Sequence, residues 1–218
     1  MIRTDPTNPD EKALLEAVAV LKRGGVVAYP TETFYGLGAD ASDEKAVERV
    51  YALKGRELNK PLPLIIGDRE IVNRLVEEIP ETARKLMDAF WPGGLTIVFK
   101  ASPFIVPRLT GGTGKIGIRI SSNPIASRLS ALLSRPLTAT SANLSGEKEC
   151  VSAREVLEFL GDRVDAVVDG GATPGGKGST IIDVTTDPPA VLRAGVIPPS
   201  LIRYRLEKNA LRRTSTCL

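Results

Sequence analysis

Lys115-Ile116-Gly117-Ile118-Arg119-Ile120 sets three isoleucines in strict alternation with two cations and a glycine. Side chains of a β-strand point to opposite faces with a period of two. The stretch therefore reads as a strand with one apolar face for a core and a second face carrying Lys115, Gly117 and Arg119. Glycine leaves room between the cations for a ligand to approach the backbone, and arginine binds oxyanions bidentately. That face is a candidate floor for a carboxylate or a phosphate; a half-exposed sheet with a solvated outer side has the same pattern.

On either side of this strand, residues 95–100 and 137–140 read as further strands, with an apolar helical stretch at 124–133 before the second. Towards the N-terminus, Ala13, Leu14, Ala17, Val18 and Leu21 recur at helical spacing behind a capping Asp10 and stop at Gly24-Gly25. Residues 26–29 and 62–66 read as strands. Between these two strands Ser42 is placed to cap a helix, with Asp43 and Glu44 at its positive dipole end, Val47, Val50 and Tyr51 facing inward, and Gly55 at its end. Helical stretches at 69–78 and 81–90 are punctuated by Pro80 and Trp91-Pro92-Gly93-Gly94. Towards the C-terminus, strands are expected at 166–168, 180–184 and 190–193, and helices at 153–160 and 200–208. Helices and strands interleaved along the whole length predict an α/β architecture, a mixed sheet flanked by helices.

The chain has 218 residues, 42% of them hydrophobic, which suits one globular unit with a real core. Its 29 Lys and Arg against 26 Asp and Glu give no net-charge argument for a nucleic-acid binder, so any anion site is local. Histidine is absent, which removes the usual imidazole base and the commonest metal ligand. Cys150 and Cys217 stand far apart without ligand-like spacing, which argues against a disulfide framework or a zinc site. Residues 1–10 are polar, and no apolar run approaches the roughly 18 residues of a membrane span. A cytoplasmic protein is expected.

Several further residues bear chemistry with a plainer alternative beside each. Lys54 lies seven positions after Val47 and continues the inward stripe of its helix, with Arg56 just beyond the end; two cations there also simply complement the negative dipole end. Alternation through 137–143 puts Ala139 and Ser141 on one face and Asn143 at the strand exit, where Asn143-Leu144-Ser145-Gly146 is also an ordinary turn. In Pro30-Thr31-Glu32-Thr33 the hydroxyls and carboxylate either face a ligand or satisfy the loop's own backbone. Two glycine-rich stretches fail as nucleotide loops. Gly36-Leu37-Gly38-Ala39-Asp40-Ala41 is separated from the strand before it by residues 30–35, and in Gly171-Ala172-Thr173-Pro174-Gly175-Gly176-Lys177 the hydroxyl residue required next is Gly178.

Taken together and in order, the segments are more specific. Pro30-Thr31-Glu32-Thr33-Phe34-Tyr35-Gly36-Leu37-Gly38-Ala39, Lys54-Gly55-Arg56 with Lys60-Pro61-Leu62, Trp91-Pro92-Gly93-Gly94-Leu95-Thr96, Gly117-Ile118-Arg119, Ser141-Ala142-Asn143-Leu144-Ser145-Gly146, and Ser179-Thr180-Ile181-Ile182-Asp183 with Leu192-Arg193 make the set. It resembles the YrdC-like threonylcarbamoyl-AMP synthase family, in its short single-domain form, over residues 10–205, with 206–218 as a C-terminal tail. The resemblance implies a twisted mixed sheet flanked by helices with a basic concave surface. It also implies conversion of L-threonine, bicarbonate and ATP to threonylcarbamoyl-AMP and pyrophosphate, with Mg²⁺ carried by the ATP.

Carried over position by position, Thr33, Arg119 and Ser179 would contact L-threonine, Arg119 taking the carboxylate. Lys54, Arg56, Lys115, Ser141, Asn143 and Arg193 would hold ATP, with Lys54 and Arg56 as the catalytic pair. The product would pass to a tRNA threonylcarbamoyl transferase complex, and direct contact with tRNA or double-stranded RNA is a further implied partnership. Glu57 stands where many relatives carry proline, and Ile65 where some longer relatives have a histidine. A non-catalytic paralogue that binds tRNA or double-stranded RNA through the same concavity is the alternative reading.

Overall fold

A computed structural model describes residues 1–214. In chain order the elements are β1 (Ile2–Arg3), α1 (Glu11–Lys22), β2 (Val27–Pro30), β3 (Tyr35–Gly38), α2 (Glu44–Lys54) and β4 (Leu64–Ile65). Next come α3 (Val72–Leu75), α4 (Glu81–Phe90), β5 (Leu95–Lys100), β6 (Lys115–Arg119), α5 (Pro124–Leu133), β7 (Leu137–Thr138) and β8 (Thr140–Ser141). The chain continues with α6 (Ala153–Leu160), β9 (Ala166–Asp169), β10 (Thr180–Asp183), β11 (Ala190–Arg193) and α7 (Pro199–Thr214). The mixed sheet is present, divided in two. One sheet has the order β1-β9-β2-β3-β8 and the other β11-β10-β5-β6-β4-β7, and each contains both parallel and antiparallel pairs.

Strand alternation explains where the core sits. Val27 and Tyr29 of β2 join Leu14, Ala17 and Leu21 of α1 and Ile125, Leu129 and Leu133 of α5 in one apolar cluster. Val26 and Ala28 point the other way, into a larger cluster with Val47, Val50, Leu64, Ile97, Phe99, Ile116 and Ile118. With both faces covered, β2 is buried along its whole length, and the isoleucine face of β6 is the core face that its alternation predicted. The cations of β6 are thereby turned to the opposite side.

Several local readings are redrawn. Asp10 caps α1 by accepting from Lys12 N, as its position suggested. The cap of α2 is Asp43 rather than Ser42: the Ser42 hydroxyl is given to Asp40 Oδ1 at 2.6 Å, while Asp43 accepts from Lys45 N and Ala46 N. The stretch 69–78 is a 3-10 turn, Arg69–Ile71, followed by the single-turn α3. The strand expected at 137–140 is two strands. β7 pairs with β4 in one sheet and β8 with β3 in the other, and between them Ala139 N donates to Pro63 O at 2.8 Å. The last helix runs from Pro199 to Thr214, so the boundary at 206 falls within it, and the rest of the expected tail, Cys217 included, lies outside the described residues.

After β11 the chain passes so close to the start of β10 that position 195 has no room for a side chain. A Cβ there would meet Gly178 O, and would lie 2.5 Å from Ser179 C and 2.6 Å from Thr180 N. Backbone on both sides cannot give way, so Gly195→Ala is expected to cost about 1–3 kcal/mol and lower the melting temperature by several degrees. A thermal unfolding curve checks this, and an unchanged midpoint would show that the crossing is looser than described.

Candidate functional site

A cavity of about 610 Å³ opens where the two sheets meet, a size typical of small-molecule sites. Its floor is the polar face of the six-stranded sheet. Lys115, Gly117 and Arg119 of β6, Thr96 and Val98 of β5, and Ile181 and Asp183 of β10 all line it, together with Ser179 just before β10 and Leu192 and Arg193 of β11. The registers place Val98 beside both Gly117 and Asp183, and Ile181 beside both Thr96 and Arg193, so one residue in two from adjacent strands makes a continuous surface. Thr31, Thr33, Ser141 and Arg56 come in from the other side. Seven of the nine site residues expected from the sequence thus face one space: Thr33, Arg56, Lys115, Arg119, Ser141, Ser179 and Arg193.

The remaining two, Lys54 and Asn143, stand behind the wall and are almost fully buried. Lys54 is the last residue of α2, and the left-handed turn at Gly55 (φ 57°) ends the helix there. Its Nζ donates to Ser141 O at 2.6 Å, Asn143 O at 2.8 Å and Asn143 Oδ1 at 2.9 Å. An ammonium has three donors, and all three are committed to the Ser141–Asn143 turn. Asn143 Oδ1 also accepts from Ser141 Oγ at 2.6 Å, and its amide donates to Glu147 O at 2.6 Å. The turn is therefore bolted to the end of α2 from behind, with Ser141 held at the cavity surface. Burial, reinforced by the charge of Arg56, pulls the Lys54 ammonium down to about 8 from 10.5.

The cations on the cavity side are held by protein oxygens. Arg56 donates through Nη2 to Pro61 O at 2.9 Å, and burial lowers its pKa. Arg193 donates through Nε and Nη2 to Ser179 O at 3.1 and 2.8 Å and through Nη2 to Ser179 Oγ at 3.1 Å. Its pKa is lowered first by burial and then by the neighbouring charge of Arg119. Ser179 Oγ is also 2.9 Å from Thr96 Oγ1. Lys115 Nζ donates to Asp183 Oδ2 at 2.8 Å, and that pairing, with hydrogen bonds from Thr185, holds the carboxyl of Asp183 below its ordinary value although burial opposes this.

The hydroxyls can be assigned directions. Thr31 gives its one proton to Phe34 O at 2.7 Å, so in its 3.1 Å contact with Thr33 the donor is Thr33. The Thr33 oxygen is then left to accept from a ligand. Cys150, fully buried behind the wall, has its thiol pushed up to about 11 by burial and is no nucleophile at neutral pH. Thr96 and Asp183 were not singled out as site residues from the sequence, although the period of two that exposed Lys115 and Arg119 would have picked them out on β5 and β10. Glu32, whose carboxylate meets Arg119 and Ser121, had no comparable signal, because its partners lie far along the chain.

Among the described residues no helix is long and apolar enough to cross a membrane. A family model described as telomere recombination, covering Sua5, YciO and YrdC, matches residues 19–195. A threonylcarbamoyl-AMP synthase of Pyrococcus abyssi is 44% identical over 183 residues, 84% of this chain and 54% of that protein. A threonylcarbamoyl-AMP synthase of Bacillus subtilis is 39% identical over 195 residues, 89% of this chain and 56% of that protein. The chain thus spans about half the length of these relatives. The crystal structure of P. abyssi Sua5 in complex with L-threonine superposes with a TM-score of 0.90 at 39% identity, covering 94% of this chain and 61% of the other.

Proposed function

The chain belongs to the Sua5, YciO and YrdC family, and from that membership we propose that it is an L-threonylcarbamoyladenylate synthase, a nucleotidyltransferase. It takes L-threonine, bicarbonate and MgATP and releases threonylcarbamoyl-AMP and pyrophosphate. The observation that carries this reading is one cavity lined by four cations, Arg56, Lys115, Arg119 and Arg193, and by the hydroxyls of Thr33, Ser141 and Ser179. Such a lining suits a substrate with one carboxylate and another with a chain of phosphates.

The chemistry asks little of the protein beyond position and charge. The threonine amine adds to bicarbonate with loss of water to give a carbamate. A carbamate oxygen then forms a bond to the α-phosphorus of ATP as the bond to the β-phosphate oxygen breaks, and pyrophosphate leaves. Arg119 takes the threonine carboxylate, the Thr33 oxygen accepts from the substrate's amine or hydroxyl, and Ser179 contacts the same substrate. Arg56, Lys115 and Arg193 meet the phosphates and stabilise the charge that develops on the leaving group, while Ser141 supports the nucleotide from the opposite wall. Lys54 and Asn143 act through Ser141, by fixing the turn that presents it. Among the described residues no group of three acidic or sulfur side chains stands together as a metal site. Mg²⁺ enters with the nucleotide as part of the substrate.

The deciding experiment is pyrophosphate release from MgATP and bicarbonate with L-threonine, with L-serine, with L-valine and with no amino acid. Threonine-dependent release, with the threonylcarbamoyl adenylate identified by mass, is the expected result. Folded protein that releases no pyrophosphate in response to threonine, yet binds tRNA in a salt-sensitive way, would overturn the reading in favour of an RNA-binding paralogue.

A further inference from the structure

Thr31 and Thr33 line the cavity, and Glu32 between them does not. Its side chain is only 13% exposed, and both carboxylate oxygens are engaged: Oε1 with Arg119 Nη1 and Oε2 with Ser121 Oγ. Ser121 is buried, and its Oγ also accepts from Asn123 N at 3.2 Å. Asn123 in turn caps α5 through Ile125 N and Ala126 N. A line of contacts therefore runs from the head of a packed helix through Ser121 and Glu32 to the guanidinium of Arg119.

A carboxylate touching an arginine in a ligand cavity has two meanings. It can compete with a ligand carboxylate for that arginine, or it can hold the arginine in place from the side away from the ligand. A competitor would sit on the cavity surface. Arg119 is on that surface and Glu32 is not. Glu32 takes only Nη1, and among the described residues no hydrogen bond engages Nη2 or Nε of Arg119. A guanidinium is a rigid planar fork with five donors, so fixing one arm fixes the direction of the others. Arg119 is also buried, and a buried guanidinium needs a countercharge to remain in place before a substrate arrives.

We propose that Glu32 is a positioning residue that holds the Arg119 guanidinium with its uncommitted edge towards the cavity, ready for the carboxylate of an α-amino acid. This rests on the synthase reading and assigns Glu32 to amino-acid recognition rather than to the nucleotide. Glu32→Gln keeps the shape and removes the charge. It is expected to raise the KM for L-threonine about tenfold, to leave the KM for MgATP within about twofold, and to weaken L-threonine binding in calorimetry by the same factor as the KM. Because the buried pair also bears on folding, Ser121→Ala is run beside it. That variant removes one of the two anchors of the carboxylate and is expected to shift the same constant in the same direction by a smaller factor.

An unchanged threonine KM in folded Glu32→Gln, or in Ser121→Ala should the first variant not fold, overturns the assignment and leaves Glu32 as a structural ion-pair partner. Tighter threonine binding overturns it in favour of the competitor. A parallel rise in the KM values for threonine and MgATP overturns it as well, since a general loosening of the site would do that. Wild-type protein that neither binds nor turns over L-threonine brings down the synthase reading, and this inference with it. Wild-type turnover with an unaffected variant brings down the inference alone.

Discussion

Arg119→Lys is expected to lower kcat/KM for L-threonine by about a hundredfold or more while the protein stays folded. The lysine keeps a positive charge beside Glu32, so no buried carboxylate is stranded; Arg119→Ala would strand it at a cost of about 3–5 kcal/mol and confound activity with unfolding. What lysine cannot keep is geometry. One arm of the guanidinium is committed to Glu32 and Arg119 lines the cavity, so in the proposed arrangement the remaining edge meets the ligand in a fixed plane. An ammonium is a point charge with no such plane, and it cannot pair with Glu32 while presenting two parallel donors to a ligand. Hydrogen bonds to charged groups contribute about 1.5–3 kcal/mol each, and every 1.4 kcal/mol is tenfold in rate or affinity. Steady-state pyrophosphate release at varied threonine, with the melting temperature measured on the same sample, checks this. A folded variant within about threefold of wild type would remove Arg119 from amino-acid recognition.

Lys54→Met is the second large effect, and it arises without contact between Lys54 and the cavity. Methionine fills much of the same volume but donates nothing, so Ser141 O, Asn143 O and Asn143 Oδ1 lose a shared partner in a buried setting. Unsatisfied buried acceptors cost about 1–3 kcal/mol, and the turn that holds Ser141 at the cavity surface loosens. The expected outcome is a small loss of stability and a large loss of ATP-dependent turnover, with the KM for MgATP raised more than that for threonine. Equal effects on the two substrates would show that Lys54 supports the whole site rather than the nucleotide side.

The same lysine makes a pH prediction with a definite sign. Its folded-state pKa of about 8 lies below the unfolded value of 10.5. Below about 8 both states carry the proton, and the folded state bears the full penalty of the buried charge. Between about 8 and 10.5 the folded state has released its proton while the unfolded state retains it, so stability rises with pH across that window. Turnover runs the other way, because the neutral amine has two donors for three acceptors and the Ser141–Asn143 turn slackens. Wild type should therefore gain stability relative to Lys54→Met as the pH is raised from 8 to 10 while losing activity over the same range. A difference in stability that does not change with pH would place the titration elsewhere.

The alternation in β6 made Lys115 and Arg119 legible, because the period of a strand is a property of a few adjacent residues. It is the same for Ala13, Leu14, Ala17, Val18 and Leu21, all buried on one side of α1. Caps were read less well. Ser42 and Asp43 both carry a side chain able to close α2, and the choice fell to Asp43 because Asp40 had already taken the Ser42 hydroxyl. The division of the 137–140 strand was not visible either, since nothing in Leu137-Thr138-Ala139-Thr140 says that its two halves pair with different sheets.

Periodicity in the sequence was enough for the interleaved helices and strands of an α/β fold, for the core faces of α1, α2 and β6, and for the cations and hydroxyls that could meet an anionic ligand, whereas β1 and β3 carried no such pattern. The legible features follow from periodicity and residue chemistry, which act over one or two turns of chain. The tertiary structure alone decided which of those groups are free to act. Lys54, which the family resemblance placed among the nucleotide contacts, donates its protons to carbonyls 87 and 89 residues away, and Glu32, read as either facing a ligand or satisfying its own loop, meets an arginine 87 residues away. Whether a buried charge faces a ligand or a neighbouring strand depends on which partner satisfies its hydrogen bonds, and that partner is supplied by the packing of distant segments rather than by local pattern.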